Sequence, residues 1–191
     1  MPNLLEVKLY GSEILNKVAE PVTELTTELK ELVADMLHTM YFTEGVGIAA
    51  PQVGVSSRIF VCDYEYTKSE KKKPLVLINP EILEYEGEYH LDEGCLSVPG
   101  VFEEITRFQR IVIRYRDLKW KEKIVEATDA FAVILQHEYD HLDGKTFVDK
   151  LNPIRKMANA IKLKRIANRA AQMSNELLCK EDESPQDNSS K

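Results

Sequence analysis

The sequence predicts an α+β fold: mostly antiparallel β-sheets around a buried central helix that carries HExxH, with an N-terminal helix and a C-terminal helix. Three observations predict it. Strand-like segments fall between helical ones in chain order. Residues 110–116 and 120–127 alternate, or nearly so, around a polar turn, which is a hairpin pattern. Residues 130–135, Ala-Phe-Ala-Val-Ile-Leu, place apolar side chains on nearly every side of a helix, so that helix must be buried.

The first helix is read from Leu25, Leu29, Leu32, Val33, Met36, Leu37 and Met40, an amphipathic series across residues 24–43. Glu24, Glu28, Lys30, Glu31 and Asp35 form its solvated side. Arg58–Tyr64 and Leu75–Ile78 read as strands, and the polar stretch Lys68–Pro74 between them as an exposed loop. The second helix is capped by Thr128 or Asp129 and ended by Gly144. Pro153 opens a last helix with two apolar stripes. Ile154, Met157 and Ile161 share one face; Leu163, Ile166, Ala170, Met173 and Leu177 share another, roughly 150° away at about 100° per residue. The expectation is that residues 154–161 pack on the domain, while 163–178 turn their apolar side elsewhere, through a bend or against another molecule. Glu181–Ser190 carries no apolar residue and reads as a disordered tail. The chain thus divides into a main domain over 1–152, a helical extension over 153–179 and a tail over 180–191.

Composition bounds the function. The 191 residues are 43% hydrophobic and 30% charged, as in a soluble globular chain. Lys plus Arg number 25 against 32 Asp plus Glu, a net charge of -7, which argues against a whole-surface nucleic-acid binder. No apolar run is long enough to span a membrane. The start, Met1-Pro2-Asn3-Leu4-Leu5-Glu6, lacks the basic and apolar regions of a secretory signal. Cys62, Cys95 and Cys179 are too few and too odd in number for a disulfide framework, which suits a reducing cytosol.

The chemistry gathers in three segments. His137-Glu138-Tyr139-Asp140-His141 places two imidazoles one helical turn apart on one face, where both can close on one metal ion, with Glu138 between them as a base. A catalytic metal needs a third protein ligand and an open position. The extended metalloprotease pattern would require His at 147, where Phe147 stands, so that peptidase class is excluded in its standard form. Asp143, Asp149 and Glu176 remain ligands in principle. Cys95, bracketed by Gly94, Pro99 and Gly100, is the better candidate: a thiolate and two imidazoles make a compact site with room for water. The third segment, Gly45-Val46-Gly47-Ile48-Ala49-Ala50-Pro51-Gln52, is by itself a tight small-residue loop ending in an amide. It lacks the residues of a P-loop.

Gly45–Gln52, Glu93–Ser97 and Gln136–Leu142 stand in the order and approximate spacing of peptide deformylase, and the chain resembles that family over about residues 4–152. The resemblance implies a monomeric, cytoplasmic, metal-dependent hydrolase. It would remove formyl from the N-terminal methionine of new bacterial or organellar proteins by attack of metal-bound hydroxide on the formyl carbon. It implies that Cys95, His137 and His141 hold one divalent ion, with Fe(II) expected and Zn(II), Ni(II) or Co(II) as occupants in purified protein. Glu138 would be general base and acid. Gln52 and the Leu96 backbone N–H would bind the oxyanion. Gly47 would pair backbone to backbone with the formyl-methionyl peptide. Val46, Gly47, Leu91, Glu93, Val133, Ile134 and His137 would surround the methionine side chain. The chain has Phe102 and Asn16 where many relatives have Arg, and it retains Arg107. The basic residues of the last helix suggest docking on the ribosome, as in bacterial relatives. Two rival readings remain: a metal-binding module without turnover, which would not need Glu138, and a general metallopeptidase.

Overall fold

A computed structural model describes residues 2–66 and 71–182. Helix α1 (Thr27–Phe42) begins where the Thr26 side chain accepts the Leu29 N–H at 3.2 Å. It buries Val33, Met36 and Met40. Five strands form one antiparallel sheet: β1 (Gly47–Ala49), β2 (Ile59–Cys62), β3 (Leu75–Glu86), β6 (Arg110–Arg116) and β7 (Glu122–Thr128), in the order β1-β2-β3-β6-β7. β4 (Tyr89–Cys95) and β5 (Val98–Arg107) pair as a separate two-stranded sheet. Helix α2 (Asp129–Leu142) packs against strands of both sheets and leaves no residue exposed. Helix α3 (Pro153–Asp182) lies along β5. The architecture is α+β with antiparallel sheets and, among the described residues, the three long helices α1 to α3; the predicted hairpin is β6–β7.

Three segments differ from the sequence reading. Part of the small-residue loop is β1, paired to β2 with Gly47 opposite Cys62; its three residues are all buried, so their small size reflects packing as well as turning. Strand β3 runs eight residues beyond Ile78, to Glu86. Its outward carboxylates meet cross-strand partners there: Glu81 pairs with Arg114 at 2.6 Å and Glu84 with Arg110 at 3.2 Å. The β4–β5 hairpin is not among the elements the sequence predicts. Strand β4 alternates in burial, but its buried Glu93 is charged, and β5 leaves Pro99 and Gly100 exposed side by side, so neither strand carries an apolar period.

The last helix reverses the expected faces. Leu163, Ile166 and Ala170 are buried at 7%, 8% and 2% exposure, whereas Ile154, Met157 and Ile161 stand 75%, 74% and 71% exposed. The reason lies in the first turns. Their inner face is polar and docks on β5 by hydrogen bonds, Arg155 Nη1 to the Glu104 carbonyl at 2.7 Å and Asn159 Nδ2 to Glu103 at 2.6 Å. The same face becomes apolar from Leu163 onward, so one unbroken helix serves both. It extends through residues 180–182 of the expected tail. Residues 183–191, and part of the expected loop Lys68–Pro74, lie outside the described residues.

Candidate active site

Cys95 ends β4 at the tip of the β4–β5 hairpin, where it pairs with Val98. His137 and His141 project from α2 toward it. Among the described residues these three form the group able to hold a metal ion, their ligand atoms all within 4.8 Å of one another. Cys95 Sγ is 3.3 Å from His141 Nε2. His137 Nδ1 is 2.7 Å from Glu93 Oε2, which fixes the ring and turns Nε2 toward the thiol. The open alternatives fall away: Asp143 pairs with Arg58 at 2.9 Å, Asp149 accepts the Thr146 N–H at 2.8 Å, and Glu176 is exposed on α3.

The electrostatics suit a cation. Burial alone would raise the Cys95 thiol, but His141 and His137 outweigh it and hold the group well below its ordinary range, as a thiolate. Burial would lower His137, yet its hydrogen bonds with Cys95 and Glu93 raise it. Thiolate plus two imidazoles is the donor set of a three-ligand catalytic site, and the buried His141 Nδ1 has no protein partner.

Behind the ligands lies a buried charge network. Arg107 grips Glu93 through Nε–Oε1 at 2.5 Å and Nη2–Oε2 at 2.9 Å, and reaches Asp140 through Nη1 at 2.6 Å. Burial pushes the Glu93 carboxyl up, but the bonds from Arg107 and His137 win and bring it down to about 2. The Glu93 carboxylate is therefore engaged with Arg107 and His137.

A cavity of about 490 Å³ opens beside this group. Val46, Gly47, Gln52, Leu91, Glu93, Cys95, Leu96, Val133, Ile134, His137 and Glu138 all line it; His141 does not, being fully buried behind. Phe102 also lines it, 72% exposed, its ring so close to Gly94 that a Cβ there would lie 2.5 Å from Cε1. Glu138 is 4% exposed, with Oε2 unpartnered. Burial raises it to about 7, against the pull of His137 and His141. Gly47 makes room for it: a Cβ at 47 would come within 2.6 Å of Glu138 Oε1. Gln52 is locked in orientation. Its Oε1 accepts the Ala49 N–H at 2.8 Å, so its amide NH₂ faces Ser97 Oγ at 3.3 Å and Cys95 Sγ at 3.4 Å. Neither Ser97 nor Asp140 stands out by local pattern, because Ser97 meets Gln52 only when the hairpin tip reaches the Ala50–Val53 turn, and Asp140 meets Arg107 only when α2 reaches β5.

The family model described as Polypeptide deformylase matches residues 4–157. The chain belongs to the polypeptide deformylase family. A peptide deformylase of Thermodesulfovibrio yellowstonii is 43% identical over 153 residues, spanning 80% of this chain and 92% of that protein. One from Endomicrobium trichonymphae is 44% identical over 161 residues, spanning 84% and 94%. The crystal structure of a Legionella pneumophila peptide deformylase superposes with a TM-score of 0.79 at 36% identity, covering 91% of this chain and 98% of that one. That from Thermus thermophilus gives 0.80 at 38%, covering 87% and 99%. The chain is a metal-dependent peptide deformylase, a hydrolase that releases formate from formylated nascent peptides.

Proposed function

We propose that the central helix α2, through its HExxH pattern, and the hairpin tip divide the work of deformylation as follows. Cys95, His137 and His141 hold one divalent ion; this donor set accepts both Fe(II) and Zn(II), and Fe(II) is the ion assigned. When bound, the ion supplies a Lewis acid that polarises the formyl carbonyl and acidifies water. Gly47, in β1 at the edge of its sheet, pairs with the substrate backbone as an added strand. Leu91, Val133 and Ile134, with Val46 and the stems of Glu93 and His137, enclose the methionine side chain. Glu138 takes a proton from the attacking water and delivers it to the leaving amine; its environment, raised to about 7, suits both roles near neutrality. The Gln52 amide, aimed by Ala49, and the Leu96 N–H stabilise the oxyanion, each such donor being worth about 100- to 1000-fold in rate. Formyl is the smallest acyl group, so the reading requires the site to accept formyl and reject acetyl.

The observation that carries this reading is the convergence, in one cavity, of a three-ligand thiolate–imidazole group, an unpartnered buried carboxylate and an amide of fixed orientation. Turnover of formyl-Met-Ala-Ser, with none of acetyl-Met-Ala-Ser or of an internal-bond peptide, tests it. Cleavage of the internal bond would make the chain a general peptidase. No turnover with metal retained would leave a binding module.

The enzyme acts as a monomer in the bacterial cytoplasm, with residues 1–152 as its catalytic domain and 153–179 as a helical extension. It docks on the ribosome through α3, whose exposed Lys156, Lys164, Arg165 and Arg169 lie beyond the Arg155–Glu103 and Arg155–Glu104 pairs. Docking places the site where formylated chains emerge.

A further inference from the structure

The metal-ligating thiol sits on an element that cannot hold itself still. Cys95 is at the tip of a two-stranded hairpin, and such a pair is only marginally stable without outside support. Gln52 sits on a separate short turn, Ala50–Val53. The two must keep a fixed separation if the amide is to face the reacting carbonyl, because displacement by about 1 Å costs on the order of 100-fold in rate.

One segment touches both. The Lys8 N–H donates to the Gln52 carbonyl at 2.7 Å, and the Tyr10 N–H, two residues on, donates to the Ser97 carbonyl at 2.8 Å. Leu9 between them is 8% exposed. It lies in a cluster with Val98 and Val101 of β5 and with Leu163, Ile166 and Ala170 of α3; Tyr10 and Cys95 itself pack against that cluster. Gly11 then passes α3 in contact: its φ is +98°, and a Cβ there would lie 2.8 Å from Ala167 Cβ and 2.9 Å from Ala167 Cα. The N-terminal segment is thus clamped between the inner face of α3 and the two catalytic turns.

We propose that residues 8–11, pressed down by Leu163, Ile166 and Ala167 of α3, are a positioning element that fixes the Cys95–Ser97 turn relative to Gln52. This rests on the assignment of Cys95 as a metal ligand and Gln52 as an oxyanion donor. Neither residues 8–11 nor the described residues of α3 line the cavity; they act through the backbone of Gln52 and Ser97. The inner face of α3 therefore belongs to the catalytic apparatus.

The test uses the full-length, metal-loaded enzyme and compares Gly11→Ala and Ile166→Val with Ile113→Val, a buried change in β6 away from the clamp. Metal release to a chelator, kcat, KM and Tm are measured for each. Gly11→Ala releases metal about tenfold faster and lowers kcat by a similar factor, with KM within about twofold of the parent. Ile166→Val moves both in the same direction by less, and Ile113→Val moves neither beyond what its Tm loss produces in the others. Release and kcat that follow Tm alone, equally at all three sites, would overturn the proposal. Should Gly11→Ala fail to fold, Ile166→Val against Ile113→Val decides in the same way. A parent without formyl-peptide turnover would overturn the catalytic assignment instead, and metal release alone would then judge the clamp.

Discussion

Glu138 has one carboxylate oxygen against Gly47 and the other without a partner, inside a buried helix. An uncompensated carboxylate there is costly, and its proximity to the ligands explains its retention. Glu138→Ala keeps the metal, as metal analysis will show, but loses about 100- to 10,000-fold in deformylation, the usual share of a general acid–base. A loss of less than about tenfold would remove the assigned role. Gly47→Ala drives the carboxylate from its place and lowers kcat in an enzyme that still holds metal. Glu93 answers to pH through folding. Its carboxyl moves from 4.5 down to about 2 on folding, a depressed value. Its contribution to stability is therefore complete above about 4.5 and is lost as pH falls through about 2. In Glu93→Gln that acid-side loss disappears, so denaturant titrations of variant and parent converge between those pH values. With Fe(II) as the proposed ion, oxidation beside the Cys95 thiolate is expected in air, so enzyme prepared anaerobically with iron should outpace the zinc form and then fade on exposure. Equal rates, with no loss in air, would reverse the metal assignment. The Cys95, His137 and His141 group and Glu138 could be picked out because the metal binding proposed for them restricts residue type and helical spacing. The Arg107 link to Asp140 joins residues 33 apart, and no local pattern marks it.

Among the elements, the first helix and the β6–β7 hairpin were legible from their periods, and the buried helix from its unbroken apolar run at residues 130–135. The β4–β5 hairpin was not, since its inward positions include the charged Glu93 and Arg107 and its second strand breaks alternation at Pro99 and Gly100. The last helix teaches a different limit. Periodicity says which residues share a face, and the face the domain takes is decided by the first anchors, here Arg155 and Asn159 on β5. Removing residues 163–191 therefore takes Leu163, Ile166 and Ala170 out of a core cluster. The truncated chain unfolds or loses much of its Tm. The triple change Ile154→Ser, Met157→Ser, Ile161→Ser touches only exposed side chains and leaves Tm within a few degrees of the parent. Thermal melts of the two proteins check both statements; the opposite ranking would return the first stripe to the core.

At the scale of the whole molecule, charge is unevenly placed. The chain carries a net -7, yet Arg155, Lys156, Lys162, Lys164, Arg165 and Arg169 fall within residues 153–175 with no acidic residue among them. Arg155 is paired with Glu103 and Glu104, and Lys162 reaches the Gly100 carbonyl at 3.4 Å. Lys156, Lys164, Arg165 and Arg169 remain exposed along α3. Long-range repulsion between an acidic body and RNA phosphates opposes non-specific binding, while a short basic helix end-on to RNA gains from counterion release. Under the docking proposed for α3, this balance would make binding local and salt-sensitive. Because truncation would unfold the chain, the variant that isolates docking is Lys164→Glu, Arg165→Glu, Arg169→Glu in the full-length enzyme. Its turnover of a short formyl peptide matches the parent's, since none of the three residues lines the cavity. Its pelleting with ribosomes at low salt is sharply reduced, and what remains depends less steeply on salt. Equal co-sedimentation of parent and variant across rising salt would show that α3 holds the domain together and has no docking role.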